Sequence, residues 1–146
     1  MPMRESGERE IEGVDLDGLQ RALEQTEVLF AVLFGSRVEG TTHAESDLDI
    51  ALRFSESLSP KARFRLRNRI DAELQSYAEV FVDVSDFESL PVPVAHAALQ
   101  TGIVLCGDEE VIAEYRAQIE TEYEATKADR AREREEFLDR LARGDV

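Results

Sequence analysis

The chain has 146 residues, which is enough for one sizeable hydrophobic core but not for separate catalytic and recognition domains. It carries 32 acidic and 17 basic residues, a formal net charge of −15, and such a surface repels nucleic-acid phosphates, so we do not expect direct nucleic-acid binding. No stretch approaches the roughly 18 apolar residues of a membrane span. The single cysteine, Cys106, excludes an intrachain disulfide and agrees with a reducing compartment. We therefore expect a cytoplasmic protein.

The first elements in chain order lead to a buried strand. Residues 1–14 are charged and are expected to form a flexible N-terminus. Asp15 or Asp17 can cap a helix that follows. The leucines of this helix recur at helical spacing, at Leu16, Leu19 and Leu23. Residues 28–34 form a short, continuous apolar run rich in β-branched and aromatic side chains, which is typical of a buried strand and ends at Gly35.

Two carboxylates follow a Gly-Ser pair at a short distance. Ten residues separate Gly35-Ser36 from Asp47-Leu48-Asp49. A Gly-Ser turn at a strand end can present backbone N–H groups and a hydroxyl to phosphate oxygens. Residues 47–54 alternate between apolar and polar side chains, and this pattern predicts a strand with both carboxylates on one face. Because a divalent cation would relieve the repulsion between them, the spacing predicts a site for a metal-bound nucleoside triphosphate.

A third carboxylate is expected on the next strand. A Ser-Pro pair opens residues 59–77, which predicts a helix and allows a crossover connection. Residues 80–84 are strongly β-forming except for Asp83. If this strand lies beside the Asp-x-Asp strand, Asp83 can complete a metal triad and accept a proton from an attacking hydroxyl. Asp86 is the second choice because it points to the opposite face of an unbroken strand.

The C-terminal part of the sequence is predominantly helical. Patterns predict a short helix over 94–100, a strand over 103–106 and a long helix from residue 108. Beyond Lys127 the composition is nearly all charge, which indicates a solvated helix or a frayed tail; the alternative is an amphipathic end that grips a partner subunit. We divide the chain into a flexible N-terminus over 1–14, a domain over 15–107 and a C-terminal helical extension over 108–146.

These motifs resemble the nucleotidyltransferase superfamily related to DNA polymerase beta. The resemblance covers about residues 15–107, and the small chain is similar to the minimal nucleotidyltransferase branch. It implies an α/β fold in which helices flank a mixed sheet, with the long helix at the C-terminus. It also implies that ATP and one or two Mg²⁺ ions are held by the residues of the motif. These are Gly35, Ser36, Asp47 and Asp49, with Asp83 as the third carboxylate.

The sequence departs from the family pattern next to the Gly-Ser pair. Family members often read Gly-Ser-x-Ala-Arg-Gly, whereas this chain has Arg37 directly after Ser36 and Glu39 before Gly40. We expect Arg37 to supply the positive charge that the triphosphate requires. Arg37 is therefore included among the nucleotide-binding residues.

The resemblance also implies an activity and a partner. Members of this branch commonly act as antitoxins that are encoded beside a helical HEPN-domain ribonuclease toxin and modify its tyrosine with AMP. The expected function is thus a protein adenylyltransferase antitoxin, with the cognate HEPN toxin as acceptor. One alternative is a stoichiometric antitoxin that acts by binding and occlusion and has a weak or vestigial nucleotide site. A further alternative is a small-molecule (antibiotic) nucleotidyltransferase, although the chain is short for a dedicated acceptor pocket.

The acidic composition also suggests a habitat. Only Lys61 and Lys127 are lysine among the 17 basic residues. An acidic, lysine-poor surface is what we expect of a halophilic, salt-adapted cytoplasm.

Overall fold

Alternating apolar side chains build a five-stranded mixed sheet. The computed structural model describes residues 11–35, 38 and 47–144, and the backbone alone of residues 4–5. The strands are β1 (Arg4–Glu5), β2 (Phe30–Phe34), β3 (Leu48–Arg53), β4 (Val82–Asp86) and β5 (Ile103–Gly107). Their order across the sheet is β1-β5-β2-β3-β4. Strand β2 runs antiparallel to β3 and β5, whereas β3 is parallel to β4 and β1 is parallel to β5.

Among the residues that the structure describes, four long α-helices flank this sheet. They are α1 (Leu16–Glu24), α2 (Pro60–Leu74), α3 (Val92–Thr101) and α4 (Glu109–Ala142). The cap of α1 is Asp15, whose Oδ1 accepts a hydrogen bond of 2.9 Å from the N–H of Gly18. Ser59 caps α2 in the same way, and its hydroxyl accepts from the N–H of Ala62 at 3.1 Å. The predicted α/β class, with a mixed sheet between helices and a long C-terminal helix, is confirmed.

Each face of the sheet has its own hydrophobic core. Helices α1 and α2 cover the first face, where Leu48, Ile50 and Leu52 of β3 are fully buried. Helix α3 and the first turns of α4 cover the second face, where Ala51 of β3 is fully buried. The period of two along β3 therefore sends Asp49 to the second face.

Several element boundaries differ from the sequence predictions. Strand β2 begins at Phe30 rather than at residue 28, and β4 spans Val82–Asp86 rather than residues 80–84. Helix α3 begins at Val92, two residues earlier than predicted, because proline is tolerated in the first helical turn. Strand β1 was not predicted, because two residues are too few to show a periodic pattern. They form a strand because they pair with β5.

Helix α4 packs on the sheet only at its beginning. Its buried residues are Ile112, Tyr115 and Ile119, whereas all of residues 131–144 are exposed. At 34 residues the helix is about 51 Å long, so its second half extends away from the second core. None of the helices in the described part of the chain is both long and apolar enough to cross a membrane. The division of the chain at residue 108 stays a prediction.

Candidate active site

Two of the predicted acids lie side by side on neighbouring strands. Strands β3 and β4 are parallel, and Asp49 and Asp83 are register partners. Adjacent strands are about 4.8 Å apart, so both carboxylates leave the second face of the sheet at nearly the same point. Asp47 comes just before β3, and both Asp47 and Asp83 are exposed, whereas Asp49 is half-buried. The structure therefore brings together the three carboxylates that the sequence singled out.

The electrostatics of this group are centred on Asp49. Burial, and after it the charges of Asp83 and Asp47, raise the pKa of Asp49 from the ordinary 3.8 to about 6. Burial and like charges both disfavour the ionised form of a carboxyl group. The three acids thus form a site that favours a cation or a proton.

Gly35 holds the end of β2 against Asp49. The last residue of β2, Phe34, is the register partner of Asp49 on β3. Gly35 follows with a φ of +96°, a conformation that L side chains rarely adopt. A Cβ atom at this position would overlap Oδ2 of Asp49 and would lie only 3.3 Å from its Cγ. A glycine is therefore required for the turn to approach the carboxylate.

A backbone hydrogen bond joins Gly35 to Val38. The N–H of Val38 donates to the carbonyl of Gly35 at 3.1 Å, and the Val38 side chain is buried in the first core. The predicted nucleotide-binding residues Ser36 and Arg37 lie outside the described residues, as does Glu39. Their roles stay predictions.

Asp86, the second choice for the third acid, faces away from this site. Its carboxylate lies 3.2 Å from Nε of Arg63 on α2 and accepts a hydrogen bond of 2.9 Å from the N–H of Glu88. Since α2 covers the first face, Asp86 is engaged on the opposite side of the sheet from Asp83. The geometry thus favours Asp83.

Arg53, the last residue of β3, is buried on the second face of the sheet and contacts α4, a role that no sequence pattern indicated. The alternation places Arg53 on the same side as Asp49, but the residue is only 7% exposed. Its guanidinium lies 4.3 Å from the centre of the Tyr115 ring and pairs with Glu56 at 3.3 Å and Glu88 at 3.7 Å. The contact with Tyr115 links β3 to α4. Toward the N-terminal ends of β3 and β4, by contrast, the same face carries the exposed Asp47 and Asp83 and the half-buried Asp49.

Oxygen ligands of this kind suit Mg²⁺. Within the described ranges, no group of three or more Asp, Glu, His or Cys side chains is arranged to hold a metal ion by itself. Proteins usually bind Mg²⁺ through one or two carboxylates together with phosphate oxygens of the substrate. The half-buried Asp49 and its acidic neighbours fit that role, because burial and, after it, the charges of Asp83 and Asp47 raise the pKa of Asp49, and a bound cation would favour the ionised carboxylate.

A family comparison and a curated relative agree with this geometry. The model of the polymerase beta nucleotidyltransferase family matches residues 18–111, which include Gly35 and all three acids. The chain is also similar to the protein adenylyltransferase MntA of Shewanella oneidensis, with 33% identity over 84 residues. That match covers 56% of this chain and 58% of MntA, so the chain matches less than two thirds of its relative.

Solved structures share the fold. One is a chain of a toxin–antitoxin complex crystallised with AMP-PNP, with a TM-score of 0.68, 22% identity and coverage of 86% of this chain and 99% of that chain. Another comes from the complex of a tri-AMPylated Shewanella oneidensis HEPN toxin with an MNT antitoxin, with a TM-score of 0.61, 18% identity and coverage of 85% and 99%. Identities this low show a common fold and no more. Because the family model matches well over half of the residues, the chain belongs to the polymerase beta nucleotidyltransferase family.

Proposed function

We propose that this protein is an adenylyltransferase antitoxin that transfers AMP from Mg-ATP to a tyrosine hydroxyl of a cognate HEPN-domain ribonuclease toxin. The observation that carries the proposal is the register pairing of Asp49 with Asp83, with Gly35 held against the Asp49 carboxylate. Support for AMP as the transferred group comes from the relative that is named a protein adenylyltransferase. Support for the acceptor comes from the similar fold in the complex of an AMPylated HEPN toxin.

The nucleotide binds at the end of β2 in this proposal. In it, backbone N–H groups next to Gly35 would bind the phosphates, and Ser36 and Arg37 would add a hydroxyl and a positive charge. The φ of +96° at Gly35 lets this backbone come close to Asp49. The triphosphate is thereby placed beside the acids.

The carboxylates hold the metal and the acceptor. Asp47 and Asp49, with Asp83, would hold one or two Mg²⁺ ions, which would supply positive charge to stabilise the charge developing on the phosphates. Asp83 is exposed on β4, at the edge of the sheet, so an acceptor hydroxyl can reach it from outside. As the hydroxyl oxygen bonds to the α-phosphorus, its proton passes to Asp83 and the bond from that phosphorus to the bridging oxygen breaks. Pyrophosphate then leaves.

Intact-protein mass spectrometry of the HEPN partner tests this proposal. The partner is incubated with ATP, Mg²⁺ and the parent protein, the Asp47→Asn, Asp49→Asn double variant or the Asp83→Asn variant. The parent should add one or more AMP units, and both acid variants should add none while staying folded. Asp86→Asn is the matched control, because Asp86 lies on the same strand but pairs with Arg63, and this variant should still transfer AMP.

Two results would contradict the proposal. One is normal transfer by the acid variants. The other is an unmodified partner that nevertheless binds the parent tightly and loses its ribonuclease activity, which would favour occlusion.

We also propose that the protein works in a salt-rich cytoplasm. The support is the net charge of −15 together with only two lysines, Lys61 and Lys127. Potassium ions would screen the repulsion within such a surface. Thermal unfolding across a series of KCl concentrations should show a melting temperature that rises with salt, and full stability at low salt would contradict the proposal.

A further inference from the structure

Phe81 is an exposed aromatic residue next to the proposed catalytic carboxylates. Its exposed fraction is 55%. Exposure alternates along the chain here, since Phe81 and Asp83 are exposed whereas Val82 and Val84 are buried in the first core. Alternate residues of a strand share a face, so Phe81 leaves the sheet on the same side as Asp83.

The hydrogen-bond ladder between β3 and β4 continues to Phe81. The N–H of Leu48 donates to the carbonyl of Phe81 at 2.9 Å, and Leu48 is the register partner of Val82. Phe81 therefore lies opposite Asp47. Two residues of a strand span about 6.6 Å, so the Phe81 ring borders the open area around the acids.

Phe81 lies on the side of the site that is remote from Gly35. Gly35 follows β2, Asp49 belongs to β3 and Asp83 to β4, and these strands are consecutive in the sheet. With about 4.8 Å between strands, the edge strand is about 10 Å from β2. If the phosphates of the nucleotide bind at Gly35, the acceptor can approach the acids from the side of Phe81.

The chemistry of phenylalanine limits what this residue can contribute. A phenyl ring offers no strong hydrogen bond, but it packs favourably against another aromatic ring. An acceptor tyrosine presents such a ring with its hydroxyl at the far end. The ring can therefore contact Phe81 while the hydroxyl extends to Asp83.

We propose that Phe81 is the acceptor-binding residue of the site, which packs against the ring of the acceptor tyrosine and directs its hydroxyl toward Asp83. The inference rests on the proposed function, because it requires a tyrosine acceptor. It adds an acceptor subsite at the start of β4, the edge strand of the sheet.

Steady-state kinetics of Phe81 variants test the inference. AMP transfer to the HEPN partner is measured with the full chain, first at varied partner concentration and then at varied ATP concentration. Phe81→Ala should raise the KM for the partner about two- to tenfold, which is the size of an aromatic pair, and should leave the KM for ATP unchanged. Phe81→Tyr should restore the parent KM.

Phe64→Ala is the matched control. Phe64 is 60% exposed and lies on α2, which covers the opposite face of the sheet. This variant removes the same ring from a comparable surface position and should leave both KM values unchanged.

The outcomes separate this inference from the proposed function. A parent protein that transfers no AMP refutes the proposed function and the role of Phe81 with it. If the parent transfers AMP and Phe81→Ala keeps the parent KM for the partner, only the role of Phe81 is refuted. A rise in the KM for ATP alone would also overturn it, because Phe81 would then contact the adenine base.

Discussion

Replacing Asp49 by asparagine is expected to stabilise the metal-free protein while removing AMP transfer. Burial and the charges of Asp83 and Asp47 raise the pKa of Asp49 from 3.8 to about 6, so the folded state disfavours the ionised carboxyl group. At about 1.4 kcal/mol for each pH unit between these values, the penalty at neutral pH is at most about 3 kcal/mol. Asp49 is partly exposed, and solvent screening reduces the expected gain to about 1–2 kcal/mol.

The size of this stability difference depends on pH. Because the pKa of Asp49 is higher in the folded protein, the folded state binds the proton more tightly than the unfolded state. The penalty is therefore small below the ordinary pKa of 3.8, grows as the pH rises and is complete above about 6. Urea unfolding in EDTA should show a larger advantage of Asp49→Asn over the parent at pH 7.5 than at pH 4.5.

Magnesium should make the parent protein more stable than Asp49→Asn, the reverse of their order in EDTA. Added Mg²⁺ binds the folded parent and raises its free energy of unfolding, whereas Asp49→Asn has lost a ligand and should gain little. Asp86→Asn is the control, because it removes one of the two carboxylates that pair with Arg63, the other being Glu88, and should destabilise the protein in EDTA. The reasoning is refuted if Asp49→Asn destabilises the metal-free protein at pH 7.5.

The remaining predictions concern packing and accessibility. Gly35 has a φ of +96°, so Gly35→Ala should destabilise the protein by about 1–3 kcal/mol in thermal unfolding and weaken ATP binding. Gly144→Ala is the control: Gly144 has a φ of +75°, a Cβ there would meet no atom within 4 Å, and the variant should bind ATP normally. Burial raises the pKa of Cys106 to about 11, so its alkylation by iodoacetamide at pH 7.5 should be about 100-fold slower than in urea; equal rates would contradict the burial. Deleting residues 131–146 should change the free energy of unfolding by less than about 1 kcal/mol, whereas Ile119→Ala should lower it by about 2–4 kcal/mol. A larger loss of stability from the deletion than from Ile119→Ala would mean that the end of α4 is part of the core.

The strands that carry the site were predictable because each must bury one face. In β3 the alternation of Leu48, Ile50 and Leu52 with polar residues fixes which side chains enter the first core. The same alternation is sufficient to place Asp49 on the open face. Strand β1 was not predictable, because its two residues depend on pairing with β5.

The pairing of the acids required the tertiary structure. The sequence left open whether β4 lies beside β3, and the register of Asp49 with Asp83 follows from that contact. The choice between Asp83 and Asp86 also depends on α2, since Arg63 engages Asp86 on the opposite face. Arg53 was missed for a similar reason, because its partner Tyr115 comes from α4.

The most direct test of AMP transfer is whether inhibition of the HEPN ribonuclease persists after this protein is removed. The partner is incubated with the parent protein and Mg²⁺, with either ATP or α,β-methylene-ATP, whose α-phosphorus cannot release pyrophosphate. The parent is then withdrawn on an affinity resin and ribonuclease activity is measured. Covalent transfer predicts that activity stays low after ATP and returns after the analogue; activity that returns in both samples would contradict the account.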